Sequence, residues 1–291
     1  MYLLGIDENG LGFTNQLMLG PLLITAVGFE FEGSSFPIKI PFSFKEKIKV
    51  DDSKKIFKAK QINTYKIGET TALSFISFLK GKNLEDFDKD IFKEFNLLNN
   101  PCNLSGFCFY NPLKIPIWSG SFEFIEDLLK EKNIKFIYFK FCFLCPKLLY
   151  KKDKYKEEAN AILRIILDWQ NFIKTKDYKV YCGKIKNYSK ETVRNWWQKE
   201  GSLLKDYNIE FITEGDKKEF VIALASIIGK YIREVFINRI NNYFIQYDKT
   251  IPFCCGYRQN KNFDEFLEKI KPICKRNNIE LSCVVRDYPL I

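Results

Sequence analysis

Apolar positions run unbroken through Tyr2-Leu3-Leu4-Gly5-Ile6 and stop at two adjacent carboxylates, Asp7 and Glu8, followed by the turn Asn9-Gly10-Leu11-Gly12. An unbroken apolar run is the pattern of a strand covered on both faces. Its acids then stand at the strand end, where open α/β sheets place ligands. A second apolar run, Gly20 to Phe31, follows the short polar loop Thr14-Asn15-Gln16, and this closeness predicts an antiparallel pair. Residues 33–49, with Gly33, Pro37 and Pro41, read as an irregular excursion. Asp52 or Ser53 is placed to cap a helix running to about residue 80.

Residues 83–131 are the least regular part of the chain and read as an insertion or lid, closed by an amphipathic helix near 121–132. The spacing beyond predicts a strand at 134–141, a lysine-rich connection at 147–156, a helix over 157–174 and a strand over 178–184. A polar helix at 189–199, a strand at 208–213 and the turn Glu214-Gly215-Asp216 come next. The clearest helix covers 218–247, with Ala223, Ala225, Ile227 and Ile228 on one side and Lys230, Arg233, Glu234 and Arg239 on others. A Gly256-Tyr257 turn, a helix over 264–277 and a strand at 280–285 complete the chain. Strands alternating with helices define an α/β protein. The main domain is expected over 1–250, with 251–291 packing on it as an extension.

The complete absence of histidine narrows the chemistry more than any other compositional fact. It removes Ser-His-Asp and Cys-His catalysis, Cys/His zinc sites and imidazole acid/base work. Hydrolysis would have to come from carboxylates with metal ions, or from Lys, Cys or Tyr. The excess of 46 Lys and Arg over 36 Asp and Glu, a net +10, favours polyanionic partners. Nine cysteines are an odd number and do not form the framework of a small secreted domain. No basic leader and no run of ~20 apolar residues is present, so a cytoplasmic protein with no membrane partner is expected.

The order of motifs resembles the ribonuclease HII (type 2 ribonuclease H) family. Its opening Asp-Glu-x-Gly-Arg/Lys-Gly and Gly-Pro strand are matched by Asp7-Glu8-Asn9-Gly10-Leu11-Gly12 and Gly20-Pro21; its Asp-Ser-Lys-Lys by Asp52-Ser53-Lys54-Lys55; its helix opening on Asn by Asn160-Ala161. Its Gly-Asp turn and Ala-Ser-Ile-Ile-x-Lys helix are similar to Gly215-Asp216 and Ala225-Ser226-Ile227-Ile228-Gly229-Lys230, and its late Lys-Gly-Tyr to Cys255-Gly256-Tyr257.

The resemblance implies a ribonuclease H-like mixed sheet flanked by helices, with an inserted segment and a helical C-terminal part. It implies that Asp7, Glu8 and Asp216 bind Mg²⁺ or Mn²⁺ and hydrolyse the RNA strand of an RNA/DNA hybrid, or ribonucleotides embedded in DNA. Gly10, Leu11 and Gly12 would form the substrate turn, with backbone contacts to the ribose 2′-hydroxyl. Ser53, Lys54 and Lys230 would approach phosphates, and Tyr257 would stack near the scissile nucleotide.

Two positions depart from the family. Its third acid, in a strand-end Val-Asp-Gly, aligns with Tyr181-Cys182-Gly183, and Leu11 stands where it carries Arg or Lys. A thiol does not replace a carboxylate on Mg²⁺, which leaves two expectations. Either Glu214, Glu219 or Asp177 replaces the missing acid in an active endonuclease, or the chain is an impaired or inactive relative that binds RNA/DNA hybrid or other nucleic acid. The pairs Cys142/Cys145 and Cys254/Cys255 and the aromatic pair Trp196-Trp197 are expected in the core in preference to a zinc site or a base-stacking platform.

Overall fold

The computed structural model describes residues 1–11, 17–58, 61–80, 116–150, 152–185, 188–199, 208–255 and 261–286. The first strand, β1 (Tyr2–Asn9), is the middle strand of a five-stranded mixed sheet. On one side β3 (Leu22–Phe31) runs antiparallel to β1, and β6 (Ile134–Leu144) antiparallel to β3. On the other side β7 (Tyr178–Gly183) and then β8 (Ile209–Ile212) run parallel. A central strand has no solvent face, which is why its sequence is apolar throughout rather than alternating. Leu3 packs into one layer, and Leu4 and Ile6 into the other.

The first layer is built on α7 (Phe220–Ile245), with α1 (Ser53–Ile56) and α2 (Ile62–Lys80) beside it. Nearly the whole of α7 is buried, as expected of a helix without a continuous polar face. After the short α4 (Pro146–Leu149), the second layer holds α5 (Lys154–Ile173) and α6 (Lys190–Lys199), packed over Leu4, Ile6, Ile24 and Val180. The end of α7 and α8 (Phe263–Arg276) build a third cluster around Phe244, Phe266 and Ile270. There β2 (Met18–Leu19) pairs with β9 (Val285–Arg286) and draws Arg286 towards the turn after β1. The mixed sheet flanked by helices and the helical C-terminal part match the expected fold class. No helix among the described residues is long and apolar enough to cross a membrane.

The structure amends several boundaries. The helix expected over 53–80 is two helices, because Asp52 caps only the short α1, accepting from the Lys54 amide at 2.9 Å. The excursion at 33–49 carries a hairpin of β4 (Phe42–Phe44) and β5 (Ile48–Val50). The final strand shrinks to β9 behind a single 3₁₀ turn at Leu281–Cys283. Helix α5 starts inside the lysine-rich connection, because the Asp153 side chain accepts from the Tyr155 amide at 2.9 Å and caps it there.

Of the proposed insertion, residues 81–115 lie outside the described residues. The remainder leads into α3 (Glu126–Glu131) and is held to α2 by one buried carboxylate. Glu69 accepts from the amides of Ile117, Trp118 (2.9 Å) and Gly120 (2.8 Å), while Ser74 Oγ accepts from the Glu123 amide at 2.8 Å. Three amides depend on this one side chain, and each amide left unpaired when buried costs about 1–3 kcal/mol. Glu69→Ala is therefore expected to free residues 117–120 from α2. Hydrogen exchange should show Trp118 and Gly120 losing protection while the β1 and β3 amides keep theirs.

Candidate active site

Successive strand residues point to opposite faces, so the two carboxylates ending β1 enter different surroundings. Asp7 is hydrogen-bonded by Ser226 of α7, whose hydroxyl also lies 3.1 Å from Ser53 Oγ. Burial, the charge of Glu8 and the charge of Asp216 push the Asp7 pKa well up, against the Ser226 hydrogen bond. Glu8 bends back over its own turn, where Oε2 accepts from the Leu11 amide at 3.1 Å. Burial raises its pKa, opposed by that amide and by Arg286, Arg233 and Lys154.

The turn itself demands glycine. Gly10 has φ +96°, and a Cβ there would lie 2.5 Å from Arg233 Nε. Arg286 donates to the Gly10 carbonyl, and Lys154 Nζ to the Leu11 carbonyl at 3.3 Å. Leu11, expected in the substrate turn, is buried in the α5 layer. Cationic groups at this turn thus come from three distant segments rather than from position 11. Gly12 and Tyr257 lie outside the described residues.

Asp216 sits in a single 3₁₀ turn, Gly215–Lys217, at the mouth of α7. Burial and Asp52 raise its pKa, while Lys54 and Lys217 lower it. The Asp52-Ser53-Lys54 segment is therefore brought to the acids, with Ser53 touching Ser226 and Lys54 exposed beside Asp216. Lys230, further along α7, is paired with Glu234 Oε1 at 2.5 Å.

Cys182 lies in β7 in register with Ile6 and is buried among apolar side chains of the α5 layer. Burial, then Glu158, then Asp7, push its thiol pKa well up, so it is a neutral group and not a thiolate ligand. The three acids expected as substitutes lie elsewhere. Glu214 pairs with Lys217 on the surface, Asp177 with the chain's amino group at 3.8 Å, and Glu219 faces Glu210 near Tyr181.

The acid that does meet the cluster is Glu158, in α5. It is 2% exposed, and burial followed by the charges of Glu8 and Asp7 raises its pKa well above the ordinary value. Its Oε2 is buried with no hydrogen-bond partner. The sequence held a signal for it: Glu158 stands on the same helical stripe as Ala161, Ile162, Ile165 and Trp169, where an acid is out of place. All four carboxylates carry hard oxygen donors suited to Mg²⁺ or Mn²⁺. Among the described residues, no three Asp, Glu or Cys side chains converge closely enough to enclose an ion.

Other candidates resolve into packing. Cys142, Cys145 and Cys254 fall in three different apolar clusters, and Cys255 is exposed. Trp197 is buried with its Nε1 donating to the Ala159 carbonyl at 2.9 Å, and Trp196 packs against Tyr188.

The five-stranded mixed sheet, with helices on both faces, carries the acids at the end of its middle strand. Among solved structures, the chain is similar to RNase HII of Archaeoglobus fulgidus, determined in a complex with PCNA: 18% identity, 100% of this chain and 96% of that one covered, TM-score 0.46. It is similar to ribonuclease H2 of Pyrococcus horikoshii OT3 at 14% identity, 98% and 92% coverage and TM-score 0.43. It is also similar to Bst-RNase HIII in complex with Mn²⁺, at 11% identity, 98% and 65% coverage and TM-score 0.48. No protein-family model and no curated protein sequence matches the chain.

Proposed function

We propose that the protein is a ribonuclease HII-like, metal-dependent endonuclease that cuts the RNA strand of RNA/DNA hybrids or ribonucleotides embedded in DNA. One observation supports the reading: Asp7 and Glu8 at the end of β1, Asp216 before α7 and the Asp52-Ser53-Lys54 segment come from three separate parts of the chain and act on one another electrostatically, with Ser53 in contact with Ser226. These are the residues on which the sequence resemblance rests. Apolar packing does not require acids from three segments to gather, and their mutual repulsion opposes it.

Asp7, Glu8 and Asp216 would hold Mg²⁺ or Mn²⁺, which when bound lowers the pKa of an attacking water and stabilises the leaving oxygen. Ser226 holds the Asp7 carboxylate on the α7 side, and the Leu11 amide holds Glu8. Exposed Lys54, next to Asp216, is placed to meet a phosphate. The second reading, a hybrid-binding relative without activity, draws on the buried neutral Cys182.

The deciding experiment offers the purified protein a hybrid duplex, a duplex with a single ribonucleotide, and an all-DNA duplex, with Mg²⁺, Mn²⁺ or EDTA. Metal-dependent cuts at ribonucleotides are expected, with none in the all-DNA control. Binding without cleavage would establish the second reading, and failure to bind either ribonucleotide-containing duplex would end both.

A further inference from the structure

We propose that Glu158 takes over the part of the carboxylate that position 182 lacks, so that the acid cluster is completed from helix α5 rather than from strand β7. The proposal rests on the metal-site reading of Asp7 and Glu8 given above. Its starting point is a replacement in space. Cys182 and Glu158 lie in the same layer: β7 carries the thiol, α5 packs in the layer that covers it, and of the acids acting on that thiol Glu158 acts most strongly. The thiol is uncharged here, so it offers no repulsion to an acid arriving from the helix. Glutamate on the helix has the longer arm needed to reach the strand end that an aspartate on the strand would reach from within.

Glu158 has no evident structural reason to be an acid. It sits on the apolar stripe of α5, almost wholly buried, and its Oε2 meets no hydrogen-bond donor. Helix capping does not account for it, because Asp153 already caps α5 and Glu158 lies past the first turn. The groups it faces are Glu8 and Asp7, which repel it, together with Lys154, whose Nζ also reaches the Leu11 carbonyl. A buried carboxylate oxygen without a donor, set against two further carboxylates, is satisfied by a divalent cation shared among them.

The test uses the full chain and Mn²⁺ alone, followed by calorimetric titration and by the metal-induced rise in melting temperature. Glu158→Gln keeps the shape and loses the charge; it is expected to weaken Mn²⁺ binding by roughly tenfold or more with the metal-free melting temperature unchanged. Glu158→Gln combined with Cys182→Asp, which returns an acid to the strand, is expected to regain most of that affinity. Asp7→Asn serves as the reference for the site itself. If Asp7→Asn weakens Mn²⁺ binding and Glu158→Gln does not, the role of Glu158 is overturned while the site stands. If neither variant changes binding, the metal-site reading falls and this proposal with it. A Glu158→Gln variant that melts lower without metal, and that Cys182→Asp does not rescue, would assign Glu158 to packing and overturn the proposal.

Discussion

Asp7→Asn is expected to reduce metal-dependent cleavage to the level seen in EDTA, a loss of at least ~10²-fold, with the fold intact. The carboxylate is the charged group common to the whole cluster, flanked by Glu8 and Asp216 and held by Ser226. An asparagine keeps the shape, but it presents one oxygen in place of two and carries no charge to hold a hard cation. Stability should not follow activity. The Asp7 pKa is raised by burial, so its ionised form is disfavoured in the folded state. A carboxyl with a raised pKa favours the fold fully below the ordinary value of ~3.9, and that contribution is lost as pH rises through the folded-state value. At pH 8 the carboxylate is therefore a burden, and the Asn variant should melt no lower than the parent in EDTA. Melting curves at pH 8 alongside single-turnover cleavage separate the two effects. An Asn variant that retains cleavage above the EDTA level would remove Asp7 from the chemistry.

Gly5→Val is expected to cost a large part of the sheet's stability. Helix α7 lies flush on β1 at this point: a Cβ on Gly5 would stand 2.5 Å from the carbonyl carbon and oxygen of Val221, and 2.6 Å from its Cβ. Backbone cannot give way as a flexible side chain can, so the helix must lift. Overpacking of a filled core costs typically about 1–3 kcal/mol and at times more. With ~2–4 °C per kcal/mol for a domain of this size, a fall in melting temperature of about 5–10 °C is expected. Gly33→Ala is the informative comparison, since nothing lies within 4 Å of that position and only its φ of +104° opposes a side chain. A Gly5→Val variant as stable as Gly33→Ala would show that α7 does not pack as described. Gly5 is two residues from Asp7, and Ser226, which positions Asp7, is on the same helix. Cleavage by Gly5→Val should therefore fall even at temperatures where the protein stays folded.

Most of the sheet was legible because strand patterns are local. The unbroken run at Tyr2–Ile6 announced a strand buried on both faces, and the nearness of 20–31 announced its antiparallel partner. The errors fell where short-range chemistry was ambiguous. Asp52 was read as the cap of one long helix, yet it closes a four-residue turn before α2 begins. Trp197 was legible as a seam residue because a large apolar ring is best buried, and its Nε1 found a carbonyl.

The sequence by itself determined the α/β class, the exclusion of imidazole chemistry, and the list of acids and basic residues from which a site can be made. It also showed that position 182 carries no carboxylate. Only the tertiary structure decided which acids are neighbours. Glu214, Glu219 and Asp177, the sequence's own candidates for the vacancy, lie apart from Asp7, whereas Glu158, hidden in an apolar helical stripe, faces Asp7 and Glu8. Arg286 reaches the first turn only because the β2–β9 pairing carries it there, 276 residues along the chain from Gly10. The physical reason is the range of the forces. Periodicity and capping are written in adjacent residues, whereas repulsion and desolvation depend on distances that exist only after the layers have packed.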